Sequence, residues 1–219
     1  MTINFIAVLD HHHLENSVFL TAFAKSLAQL GDRKGIVIHG DSPYTDRLIQ
    51  TGMMREDARL RAIKDLNKRL IGLFADQGIP TIGIHGYQKG LVRNTDKGID
   101  INLEALEDLH EIPNLLISNL VEPNTSSEEK DPDHVPLPQY VKGFSNTFKD
   151  AEVFLFSMNE KDEIIISESH QDLEWEKLPE TISKESIPEE FREYKKPVKI
   201  TTATDFANWP NLKKVTRIK

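Results

Sequence analysis

Histidines occur at three points of this sequence in similar surroundings: AVLDHHHLENS at 7–17, IVIHGDSP at 36–43 and IGIHGYQKG at 82–90. In each, an apolar run stops in polar residues, and His39 and His85 are followed at once by glycine. Neutral imidazoles ligate zinc, nickel or iron, and Asp10 or Asp41 would add a carboxylate donor. His11, His12, His13, His39 and His85 are therefore candidate metal ligands if the three strand ends converge. The same turns suit a second chemistry. Gly40 and Gly86 let the backbone approach a ligand closely, and amides at a following helix N-terminus favour an anion. Gly40, Asp41, Ser42, Gly86 and Asn119, the last just past another apolar run, are candidate ligand contacts. The plainer alternative for each His-Gly pair is a tight turn that needs glycine, and for the histidine run a polar loop capping a strand.

The elements that position these residues alternate regularly. Ile3 to Leu9 reads as a buried strand. Ser17 to Leu30 places Val18, Leu20, Phe23, Leu27 and Leu30 at roughly helical spacing before Gly31. A strand at Ile36 to Ile38 leads through Ser42, a good N-cap, and Pro43 into a helix at Thr45 to Gln50. A longer helix, Glu56 to Gln77, aligns Leu60, Ile63, Leu66, Leu70 and Phe74 and stops at Gly78, with Asn67 and Lys68 read as part of its solvated face. A strand at Pro80 to Ile84, an extended piece at Leu91 to Arg93, a helix at Leu103 to His110 and strands at Asn114 to Ser118 and Val153 to Met158 follow. Strands without polar alternation, interleaved with helices, predict an α/β fold whose mainly parallel sheet is covered on both faces. Ligands then belong at the carboxyl ends of the strands.

Two stretches break the rhythm. Val121 to Tyr140, VEPNTSSEEKDPDHVPLPQY, is rich in Pro, Ser and acid and reads as a long loop or lid. Gln171 to Pro197 is dense in Glu and Lys and reads as solvated helices or turns at the sheet edge. A chain of 219 residues, 38% hydrophobic, is expected to form one domain over 1–219. A net charge of -8 argues against nucleic-acid or anionic-membrane partners. With no cysteine there is no disulfide framework, thiolate nucleophile or Cys-ligated zinc site. The amino-terminal apolar run breaks after nine residues without a basic flank, which predicts neither signal peptide nor membrane span and a cytoplasmic protein.

IVIHGDSPYTDRLIQTGM resembles the segment of the amino-acid kinase family, acetylglutamate kinase in particular, where a strand ends in His-Gly-Gly-Gly-Pro before a helix. KDLNKRLIGLFADQGIPTIGIHGYQKGLV resembles the following helix and strand-turn, and INLEALEDLHEIPNLLISNL and AEVFLFSMN are similar to later elements of the same order. The likeness covers roughly residues 1–160 and is strongest at 33–120. It implies a three-layer α/β/α sandwich that transfers ATP's γ-phosphoryl group, with Mg, to the carboxylate of a small acid such as an N-acylated amino acid, often as a homodimer. It also implies that Arg55, in GMMRED, is the counterpart of the arginine that reads the acid's carboxylate. The partner is then a small anionic molecule.

The family pattern is not kept throughout. Where the family has Lys-x-Gly-Gly after the first strand, this chain has Asp10 and the histidines; where it has consecutive glycines, this chain has Gly40, Asp41 and Ser42. The Asn-x-Asn-Ala-Asp motif has no equivalent, and the strand that should end in Thr-Asp ends in Ser157, Met158 and Asn159. No glycine occurs in 160–219, so the nucleotide lobe is read as reduced. Three functions stay open. The chain is a small-ligand-binding or regulatory relative with lost or reduced phosphotransferase activity; or an active ATP-dependent kinase using Lys89, Lys97 or Lys142; or a metal-binding protein built on the histidines.

Overall fold

The computed structural model describes residues 2–109, 114–123, 131–157, 173–177 and 188–219. Strands β1 (Phe5–Leu9), β2 (Gly35–His39), β3 (Thr81–His85), β6 (Asn114–Ser118), β9 (Glu152–Ser157), β10 (Val198–Thr202) and β11 (Val215–Ile218) form one sheet in the order β11-β10-β9-β1-β2-β6-β3. Every pairing is parallel except β10 with β11. A two-stranded hairpin, β4 (Val92–Thr95) and β5 (Gly98–Ile101), and a short pair, β7 (Leu120–Val121) and β8 (Asp133–His134), lie outside it.

Alternation along the strands fills two layers. Phe5, Ala7 and Leu9 of β1 join the core under helices α1 (Ser17–Gln29) and α3 (Arg55–Asp76), whereas Ile6 and Val8 join the core under α5 (Leu137–Thr147). Both faces are thus covered, which is why these strands read as continuous apolar runs. Gly35 pairs with Phe5, and the Phe5 ring occupies the space that a side chain at 35 would need. Asn16 caps α1 by accepting from the Phe19 amide at 2.9 Å, and Asn102 does the same for α4 (Leu103–Glu107) through Ala105 at 3.1 Å. The short helix α2 (Tyr44–Gln50) follows β2; its Tyr44 amide takes the Ser42 hydroxyl at 3.4 Å.

The α/β sandwich with a mainly parallel sheet is as expected, and the predicted elements up to Ser118 lie within a few residues of their observed bounds, while β5 was not foreseen. Two readings need correction. Strand β3 is not the neighbour of β2, because β6 pairs between them. The stretch 121–140 is not wholly a loop: Val121, Val135, Leu137 and Tyr140 are buried, in β7, beside β8 and at the start of α5. Its prolines and acids masked an apolar pattern that continues through Val141 and Phe144 on one face of α5. Of the stretch Gln171 to Pro197, residues 171–172 and 178–187 lie outside the described residues; the rest forms short helical turns at Trp175–Lys177 and Glu189–Glu193 with Trp175, Phe191 and Tyr194 buried, and β10 and β11 follow from 198 onward. Met158, Asn159, His110 and residues 124–130 lie outside the described residues. No described helix is long and apolar enough to cross a membrane.

Candidate functional site

The carboxyl ends of β1, β2, β6 and β3 form the edge where parallel α/β sheets receive ligands. At the end of β1 the chain turns on Asp10, whose Oδ1 accepts from the amides of His12 at 2.9 Å and His13 at 3.3 Å. His13 folds back into the protein. Its Nε2–H donates to the Phe156 carbonyl at 2.9 Å, its Nδ1 accepts the Asp10 amide at 3.1 Å, and its ring stacks on Phe19 with centroids 4.2 Å apart. Burial is the main cause that lowers the His13 pKa, and the neutral ring fits this pair of bonds. His11 and His12 stay nearer solvent, their rings edge to face at 5.7 Å. With Asp10, Pro188 and Glu190 they line a cavity of about 350 Å³. Glu190 is open to solvent on one side and crowded by protein on the other; that crowding first, and then the Asp10 charge, raise its carboxyl to about 7.

Across β2, β6 and β3, the residues His39, Ser118 and His85 stand in one row of strand partners. His39 is wholly buried. Its Nδ1–H donates to the Gly40 carbonyl at 3.2 Å and its Nε2 accepts from the Asn67 amide group at 3.0 Å, so both ring nitrogens are engaged. Burial lowers its pKa to about 3. His85 meets the Ser118 hydroxyl through Nδ1 at 2.8 Å and stacks on Tyr87; burial and then Lys64 and Lys68 lower its pKa to about 4. Both rings are therefore neutral at pH 7.

The turn after β2 is closed by protein groups. Asp41 accepts from the Ser42 amide at 2.7 Å and from the Thr45 hydroxyl, and its other oxygen lies 3.6 Å from Nε of Arg59. A Cβ at Gly40 would stand 3.1 Å from Asn119 Nδ2 and 3.2 Å from Leu137; one at Gly86 would stand 2.5 Å from both the Leu120 carbonyl oxygen and the Tyr140 hydroxyl. Both glycines thus serve close packing of the protein on itself. Asn119 is buried, with its amide group donating to Val135 O at 2.6 Å and to His134 Nε2 at 3.0 Å. Among the described residues Asn119 Oδ1 and Tyr140 OH have no hydrogen-bond partner.

The structure brings Asp10, His11 and His12 to one cavity and His39 and His85 to one row, but turns His13 into the core. Among the described residues no three His, Asp or Glu side chains are placed to hold a metal ion. Arg55 is exposed as the first residue of α3, and the guanidinium beside Asp41 belongs to Arg59, one turn further along. Lys89 lies exposed in the turn after β3 and Lys97 at the tip of the β4–β5 hairpin, while Lys142 is exposed on α5.

Sequence reasoning missed His134, Arg59 and Glu190, and it placed Asn67 on a solvated helix face, whereas Asn67 is buried. Asn67 had a signal: it interrupts the buried stripe Ala62, Ile63, Leu66, Leu70 and Phe74, where a polar residue needs a partner. Lys68 beside it is the solvated one, 77% exposed. Glu190 had no signal, because only folding carries it to the end of β1.

No family model matches the sequence, and no curated protein matches it. Solved structures do. An isopentenyl phosphate kinase superposes with a TM-score of 0.62 at 14% identity, covering 98% of this chain and 99% of that one. A carbamate kinase from Giardia gives 0.57 at 10% identity over 100% and 99% of the two chains. Aspartate kinase from Synechocystis gives 0.66 at 12% identity over 98% of this chain and 40% of the larger enzyme. At such identities the likeness establishes architecture alone: the chain has the amino-acid kinase fold.

Proposed function

We propose that this chain uses the amino-acid kinase fold to bind a small ligand at the carboxyl edge of its sheet and that it transfers no phosphate. One observation carries the reading: among the described residues the cavity at the end of β1 is lined by Asp10, Glu190, His11, His12 and Pro188, with no lysine or arginine. Phosphoryl transfer depends on cations and amides that hold charge on the moving group. A triphosphate in this cavity would meet carboxylates, and its repulsion from them would be little screened at short range. The closed glycine turns support the same reading, since the space a phosphate would take beside Gly40 and Gly86 is filled by Asn119, Leu137, Leu120 and Tyr140.

Calorimetry with Mg-ATP, together with an ADP-release assay offering N-acetylglutamate as acceptor, tests this. No saturable heat and no ADP above the protein-free rate are expected; micromolar ATP affinity or acceptor-dependent turnover would overturn it. Descent from an acetylglutamate kinase and a homodimer are further parts of the proposal that rest on the motif resemblance. The apolar face of α3 does not add to the case for a dimer, because Ala62, Ile63, Leu66, Leu70 and Phe74 are buried within the protomer.

A further inference from the structure

Two histidines of the carboxyl edge are held by asparagines in the same way. His39 Nε2 lies 3.0 Å from Nδ2 of Asn67, and His134 Nε2, in β8, lies 3.0 Å from Nδ2 of Asn119, the residue just past β6. The orientation of the Asn119 amide is fixed, because its Nδ2 also donates to the Val135 carbonyl at 2.6 Å and an oxygen in that place would face another oxygen. Both hydrogens of Nδ2 are therefore committed, and His134 has to accept. Only the neutral ring with its proton on Nδ1 can do so. A protonated ring would set N–H against N–H.

The two couples differ in access. His39 is wholly buried, whereas His134 is partly exposed, so His134 can take up a proton without the sheet unfolding. Burial first, and then the Arg59 guanidinium of α3, oppose that proton; Asp41 in the turn after β2 and Glu56 of α3 favour it, and Asp133 adjoins it in β8. Asn119 offers no compensation. Its Oδ1 is buried without a partner, and turning the amide over to accept from the charged ring would bring Oδ1 against the Val135 carbonyl. The bond sits where a short piece of chain is fastened to the edge. The Asn119 amide donates to the His39 carbonyl at 3.1 Å, and the Val135 amide donates to the Asn119 carbonyl at 3.2 Å. The β7–β8 pair adds only two residues a side, too few to hold by itself.

We propose that His134 and Asn119 form a pH-sensitive latch: protonation of His134 breaks its bond to Asn119 and frees residues 133–135 from the carboxyl ends of β2 and β6 while the seven-stranded sheet stays folded. The open form takes up a proton that the closed form resists. The closed form is therefore fully favoured above the ordinary histidine value of about 6.5 and loses ground as pH falls below it. The latch needs no ligand and is independent of the ligand reading of the edge.

Amide hydrogen exchange on the full chain at pH 7.5 and 5, corrected for the intrinsic rate, tests this. Protection of the Val135 amide should fall by about tenfold between the two values and, at pH 5, lie below that of Val37 at the centre of β2. In His134→Gln, whose amide oxygen accepts from Asn119 at either pH, the fall should vanish. Val135 protection that does not change with pH, that equals Val37 protection at pH 5, or that falls in His134→Gln as in the parent overturns the latch. Should the variant not fold, nitrogen chemical shifts of the His134 ring in the parent decide. A proton on Nδ1 at pH 7.5 and a titration that tracks Val135 exchange are expected, whereas a neutral ring protonated on Nε2, or one that titrates without effect on Val135, refutes the proposal.

Discussion

His39 is a base kept neutral by its surroundings: it is fully buried, both nitrogens are bonded, and its pKa falls to about 3. The unfolded chain therefore takes up a proton near 6.5 that the fold refuses until about 3, so stability is full above 6.5 and is lost as pH falls through that window. From pH 7.5 to 5, His39 alone should remove about 2 kcal/mol. Burial lowers His13, His85 and His134 as well, and they act in the same direction. Urea denaturation at the two pH values checks this. His39→Gln should start less stable and lose less on acidification; an unchanged slope would sink the account. The double variant His39→Ala with His85→Ala is likewise expected to harm the fold itself, since removing the His39 ring leaves Asn67 without its partner.

Caps and close approaches govern the elements. Asn16 satisfies the Phe19 amide at the start of α1, so Asn16→Ala should cost about 1 kcal/mol. Gly86→Ala should cost more, about 1–3 kcal/mol, because the new methyl would meet the Leu120 backbone and the buried Tyr140 hydroxyl, neither of which is a flexible tip. Chemical denaturation ranks the two variants. A Gly86→Ala protein as stable as the parent would show that β3, β7 and α5 do not lock together as the contacts describe.

At the scale of the molecule, assembly and nucleotide response are separate measurements. Light scattering at high protein concentration should give twice the 25.0 kDa of the chain if the homodimer carried over from the resemblance holds, and the monomer mass would remove it. Thermal melting with Mg-ATP should show no shift, since a ligand raises the midpoint only by binding the folded state.

Periodicity made the amino-terminal part of the fold legible. Buried strands such as Asn114 to Ser118 and the stripe of the long helix are local patterns, and local burial of a face is what a sequence records directly. The histidines at strand ends, the missing cysteines and the loss of lysine after the first strand were legible for the same reason. Strand order was not, because inserting β6 between β2 and β3 depends on how long connections close. Residues 121–140 were misread where prolines and acids alternate with the few side chains that reach the core. The sequence by itself thus determined an α/β sandwich with polar strand ends. Tertiary structure alone decided that His13 turns inward to Phe156, that Asn67 holds His39, and that Glu190 meets Asp10 across a cavity, since each contact joins residues far apart in the chain and no local pattern encodes it.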